Sequence, residues 1–128
     1  MPKERNHFAL PRNAFNMKKL YTLYILKELS MGKKIYGKMI YDNVKEFFRG
    51  YPVSISYSTI YNTLHKMEEE NFVISHWDEG ASSTKNRSTR YYRITDDGLN
   101  YYKTIEKDTI DSLLKTKEIV SKFIEFLD

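Results

Sequence analysis

The chain has 128 residues, the length of one ordinary domain, with 41% apolar and 30% charged residues and a formal net charge of +4. It contains no cysteine, which excludes disulfides, thiolate metal sites and thiol catalysis. No stretch approaches the ~18 apolar residues of a membrane span, and the opening MPKERNHFALPRN lacks the apolar core of a secretory signal. We therefore expect a cytoplasmic protein.

The charge is distributed unevenly along the chain. Residues 1–95 hold 16 Lys and Arg against nine Asp and Glu, a net charge of +7, whereas residues 96–128 hold five against eight, a net charge of −3. A basic body with an acidic tail favours a polyanionic partner for the body. Because lysine-rich surfaces are often only solvated, the charge alone does not decide between a binding surface and an ordinary one.

The chain begins with a segment that lacks helical periodicity. Residues 1–15 include Pro2 and Pro11 and predict an N-terminal arm outside the core. A first helix is predicted over about residues 16–29, where apolar residues occupy more than one stripe. Such a helix is buried on two sides, so it is either a central core helix or packs partly on a second subunit.

Two more helices follow. The second is predicted over about residues 35–49, because Gly50 and Pro52 then end it. The third is predicted over about residues 57–70, with Ser56 or Ser58 as the N-cap. Three apolar residues of the third helix have the spacing i, i+4, i+7 and predict a stripe toward the core: Ile60, Leu64 and Met67. The opposite face carries Ser58, Tyr61, Asn62, His65, Lys66 and Glu69.

A basic hairpin is predicted after the third helix. Asn71 can take the left-handed conformation that ends a helix, and FVISHWD then alternates like a strand. A polar loop, GASSTKNRST, separates it from a second strand, RYYRI. The basic residues of the loop and second strand are Lys85, Arg87, Arg90 and Arg93.

The last element is a long helix over residues 96–127, about 45 Å at 1.5 Å per residue. Thr95 is its predicted N-cap, and Asp96 and Asp97 interact favourably with the helix dipole. Its second half has apolar residues at alternating steps of three and four, with Lys117 as a break: Ile110, Leu113, Val120, Ile124 and Leu127. A domain this small cannot cover that seam, so we expect a homodimer.

This order of elements predicts a mostly α fold with a small β-hairpin: a winged helix-turn-helix domain over residues 16–95, followed by a dimerisation helix over residues 96–128. Within that class the chain resembles the PadR family of transcriptional regulators over about residues 17–127. The matching residues are Ile35, Tyr36 and Gly37, then Ser58, Thr59, Ile60, Tyr61, Leu64, His65, Met67, Glu68, Glu69 and Glu70, then Arg90, Tyr91, Tyr92, Arg93, Ile94, Thr95, Asp97 and Gly98. The resemblance implies a dimeric repressor of nearby genes, commonly released by a small molecule.

The chain departs from the family pattern at several positions. Lys38 stands where an aromatic residue is usual, Tyr57 where proline often starts the third helix, and Asn71 where glycine is usual. The loop over residues 80–89 is also long. A related resemblance is to winged-helix replication-terminator proteins, which bind DNA as a similar dimer but block a replication fork.

The third helix and the hairpin supply the candidate DNA contacts. The candidates for base edges are Tyr61, Asn62 and His65, and those for the phosphate backbone are Ser58, Thr59, Lys66, Lys85 and Arg87. Arg90 is a further candidate DNA contact. Taken singly, each of these residues is more often a solvated surface residue. Their place on a recognition helix and a wing favours the functional interpretation.

Aromatic residues outside the core suggest a ligand site. Phe8, Phe15 and Trp77 are candidates for lining a cleft between subunits that takes a small aromatic effector, although packing is the more common role of such residues. The histidines show no metal-ligand spacing, and no Gly-rich phosphate loop is present, so we expect no cofactor, no metal and no enzyme. A homodimeric regulator of an inverted-repeat operator is favoured over a protein-interaction module.

Overall fold

The computed structural model describes residues 17–32, 34–78 and 89–128. Within these ranges the elements are α1 (Met17–Leu29), β1 (Ile35–Tyr36), α2 (Gly37–Phe47), α3 (Tyr57–Glu69), β2 (Val73–Asp78), β3 (Thr89–Ile94) and α4 (Asp96–Leu127). The fold is mostly helical with a small antiparallel sheet and a long C-terminal helix, as the sequence predicts. The arm predicted for residues 1–15 and most of the predicted hairpin loop lie outside the described residues.

The sheet has one strand more than the sequence predicts. Ile35 and Tyr36, predicted to open the second helix, instead pair with Tyr92 and Tyr91 of β3, which makes the strand order β1-β3-β2. The predicted start of that helix is therefore wrong by two residues, and α2 begins at Gly37. A strand of two residues is defined by its partner more than fifty positions away, so no local pattern in the sequence indicates it.

Side-chain caps fix the ends of α3 and α4. Ser56, and not Ser58, is the N-cap of α3, since its Oγ accepts from the backbone N–H of Thr59 at 3.1 Å. The Oγ1 of Thr95 accepts from the N–H of Gly98 at 2.9 Å and donates to the carbonyl of Asn71 at 2.7 Å. Asn71 has a φ of 69°, the predicted left-handed conformation. Thr95 thus joins the end of α3 directly to the start of α4.

One core holds the helices and the sheet together. The predicted stripe of α3 is buried, with Ile60 and Leu64 fully inaccessible to solvent and Met67 nearly so. These side chains belong to a cluster with apolar residues of α1, α2 and the sheet: Ile25, Leu26, Leu29, Ile40, Val44, Val73 and Tyr92. The core therefore fixes which face of α3 is turned away from the protein.

The first half of α4 packs against the domain. Gly98, Tyr102 and Ile105 in the first half are buried against the domain. A Cβ at Gly98 would overlap the carbonyl oxygen of Phe72 and lie 2.8 Å from Cγ1 of Ile94, so only glycine permits this close approach.

None of the helices in the described ranges combines the length and apolar content of a membrane span.

Candidate nucleic-acid interface

The exposed face of α3 is the candidate reading surface. Ser58, Asn62, His65 and Lys66 are all exposed, on the side of the helix opposite its buried stripe. The Nε2 of His65 lies 3.4 Å from Oε2 of Glu69, and this contact is an ion pair only when the imidazole is protonated. The face offers an amide, an imidazole and an ammonium group, which can read base edges or bind phosphates.

Tyr61 lies on the flank of α3 that faces α2. A Cβ at Gly37 would be 2.6 Å from Cζ of Tyr61, so the ring rests directly on the backbone where α2 begins. Its hydroxyl shares a hydrogen bond with Tyr57 at 3.4 Å, which together with burial raises the pKa of Tyr61 to about 12. The predicted base contact of Tyr61 stays a prediction, but its observed contacts position α3 against α2.

Hydroxyl groups cluster at the start of α3. The Oγ of Ser56 lies 2.9 Å from Oγ1 of Thr59 and 3.2 Å from Oγ of Ser58. Ser58 is exposed and Thr59 half-buried at the helix N-terminus, where positive electrostatic potential and hydroxyl donors suit an anion. This arrangement is compatible with the phosphate contacts predicted for both residues.

The side chain of Arg90, a predicted wing residue, forms hydrogen bonds to other residues of the same chain. Its Nη2 donates to Oε1 of Glu68 at 2.9 Å and its Nε donates to Oγ of Ser75 at 3.0 Å. The Ser75 hydroxyl in turn donates to Oε2 of Glu68 at 2.6 Å. The guanidinium also lies 5.6 Å from the ring centroids of Trp77 and Tyr92. Arg90 therefore connects both strands of the wing to α3, an intrachain role that no local pattern in the sequence indicates.

We expect Glu68→Gln and Arg90→Gln each to lower the free energy of unfolding by about 1–2 kcal/mol, because each removes a charge-assisted hydrogen bond from a pair that is only half-buried. Urea unfolding of the two single variants and the double variant measures the coupling between the side chains. A coupling energy close to zero would contradict the proposed connection between the wing and α3.

Arg93→Gln is the matched control. Arg93 is exposed and, three residues along the same strand, points to the opposite face of the sheet from Arg90, so its loss should leave stability nearly unchanged. If Arg90→Gln weakens DNA binding with no loss of stability, Arg90 is a DNA contact, as the sequence predicts, and its intrachain contacts are incidental.

The remaining predicted site residues are only partly covered by the structure. Lys85, Arg87, Phe8 and Phe15 lie outside the described residues. Trp77 is 59% exposed and has its ring against the Arg90 guanidinium. Trp77 therefore lies on strand β2 of the wing, beside the positively charged side chain of Arg90.

The predicted seam of α4 is exposed along its whole length. Its members are 37–75% exposed: Ile110 49%, Leu113 37%, Val120 40%, Ile124 61% and Leu127 75%. Thr109 and Thr116 on the neighbouring face are buried. The seam is therefore a separate apolar surface that the described part of this chain leaves open to solvent.

An outward-facing third helix with a polar exposed face, beside an antiparallel wing, defines a winged-helix, DNA-binding transcriptional regulator. A family model described as the transcriptional regulator PadR-like family matches residues 22–104. The chain belongs to this family.

Solved structures support the fold. A candidate transcriptional regulator from Thermoplasma acidophilum is 28% identical with a TM-score of 0.63, over 85% of this chain and 94% of that one. A PadR family regulator from Eggerthella lenta is 25% identical with a TM-score of 0.58, over 81% and 80%. One from Clostridium difficile shares the fold at 22% identity and a TM-score of 0.59, over 81% and 97%. A comparison with curated proteins found no match.

Proposed function

We propose that the chain is a repressor that binds an inverted-repeat operator as a homodimer, with α3 in the major groove and the wing against the backbone. The observation that carries this proposal is the exposed face of α3, where Asn62, His65 and Lys66 project away from a buried stripe. The connection of Glu68 to Arg90 fixes the wing beside that helix. In winged-helix proteins these two elements contact DNA together.

The dimer is supported by the exposed seam of α4. Its apolar residues repeat at three- and four-residue steps, the pattern by which two helices pack side by side. Two copies joined there would present two α3 helices, and half-sites one or two helical turns apart would match them. Release by a small aromatic effector is part of the proposal, and Trp77 is the described residue of that predicted site.

The test of the reading face is Asn62→Ala and His65→Ala. Each should cost about 1–3 kcal/mol on the cognate operator and much less on random duplex, because base-edge contacts discriminate between sequences. Binding of both duplexes is measured by fluorescence anisotropy after the operator has been found by selection from genomic fragments. Transcription from an operator-bearing promoter in vitro should fall when the wild-type protein is added.

Asn100→Ala is the matched control, since Asn100 is exposed on α4 and its substitution should leave both affinities unchanged. Discrimination that survives both α3 substitutions would place sequence reading elsewhere. Absence of duplex binding by the wild-type protein at low salt would remove the regulator function altogether.

A further inference from the structure

A basic groove runs beside α3, on the flank opposite Tyr61. It has a volume of about 440 Å³ and lies between the start of α1, one side of α3 and the first turns of α4. Lys18 and Lys19 line it from α1, Asn62 and Lys66 from α3, and Tyr101 from α4. The groove therefore joins residues of the reading face to two lysines that are not among the DNA contacts predicted from the sequence.

The charge of the groove is predominantly positive. Three of its lining side chains are lysines and one, Glu70, is a carboxylate. Lys18 and Lys19 lie in the first turn of α1, which contains no acidic residue. The groove is thus electrostatically suited to an anionic partner.

The groove opens toward the side on which α3 would meet DNA. Asn62 and Lys66 belong both to the exposed face of α3 and to the lining of the groove. A helix in the major groove is flanked by the two phosphate backbones, so one backbone passes along each flank of α3. The flank that carries Tyr61 faces α2, and the other flank carries the groove.

We propose that this groove receives the sugar-phosphate backbone of the operator and that Lys18 and Lys19 are phosphate contacts. The inference rests on the proposed function, because it takes α3 as the helix in the major groove. A DNA strand fits better than a small molecule because Lys18, Asn62, Lys66 and Glu70 are all exposed. Small-ligand sites instead bury most of the ligand surface.

The experiment compares Lys18→Gln/Lys19→Gln with a control of equal charge change, Lys115→Gln/Lys122→Gln. Lys115 and Lys122 are exposed on the far half of α4, on the opposite side of the helix from its apolar seam. Affinity for operator and for random duplex is measured at several salt concentrations. The α1 variant should bind both duplexes on the order of tenfold more weakly, with the salt slope reduced by about one for each lysine in each subunit.

The outcomes separate this inference from the proposed function. Wild-type protein that binds no duplex overturns both. If the wild-type protein binds duplex and the α1 variant matches the control in affinity and salt slope, only the proposed groove contact is overturned. The same holds if the α1 variant loses affinity for the operator but not for random duplex. Lys18→Arg/Lys19→Arg keeps the charge and should retain wild-type affinity; an equal loss in this variant would show that packing, and not phosphate contact, is responsible.

Discussion

Replacing Val120 and Ile124 with aspartate should convert the protein to monomers. Both side chains lie in the exposed seam of α4, 40% and 61% accessible in the single chain. Their packing against a second copy would bury two charges without partners in each subunit, at a cost of several kcal/mol per dimer. Analytical ultracentrifugation measures the oligomeric state, and operator affinity should fall along with dimerisation.

Lys115→Asp/Lys122→Asp is the control for this experiment, because it adds the same residue type on the opposite side of the same helix. It should remain a dimer. A Val120→Asp/Ile124→Asp protein that sediments as a dimer would move the interface away from the seam. A monomeric variant with unchanged operator affinity would contradict the proposal that two copies bind together.

Gly98→Ala should destabilise the fold by about 3 kcal/mol or more, because a methyl group there overlaps the backbone of Phe72, which cannot rotate away as a side chain could. The carbonyl of Phe72 also accepts a hydrogen bond from the backbone N–H of Thr95 at 3.0 Å. Displacement of Phe72 would disturb the junction between α3 and α4. Urea unfolding followed by circular dichroism measures the loss.

Asn100→Ala, two residues further along the same helix, is the control for Gly98→Ala. Asn100 is exposed, and alanine has the higher helix propensity, so the control should be neutral or slightly stabilising. A Gly98→Ala protein as stable as the control would mean that the close approach of α4 to Phe72 relaxes without cost.

Local signals in the sequence predict the end of α3 and the start of α4. Thr95 and Asn71 act within three or four residues of their own positions, so the start of α4 and the end of α3 can be predicted from residue type alone. The buried stripe of α3 follows from its helical spacing in the same way. Nothing beyond the neighbouring turn of chain is needed for these predictions.

Contacts between residues distant in the sequence could not be predicted. Arg90 is the clearest example, because its partner Glu68 is 22 residues away and only the fold brings the two together. The pairing of Ile35 with Tyr92 is similar. Tyr61 was placed on the reading face, and the missing side chain at Gly37 leaves the space in which its ring rests against α2. The groove lysines were missed because α1 and α3 are neighbours only in three dimensions.

The hydrogen bonds of Thr95 couple the orientation of α4 to that of α3. Since this one residue bonds both to Asn71 at the end of α3 and to the first turn of α4, the two helices have little freedom to turn independently. In the proposed dimer the crossing angle at the seam would then set the separation of the two α3 helices. With an arm of roughly 35 Å from the middle of the seam to Thr95, a tilt of about 6° would shift each α3 by about 4 Å, close to the rise of one base pair. The far end of α4 would thereby govern which operator spacing the protein accepts.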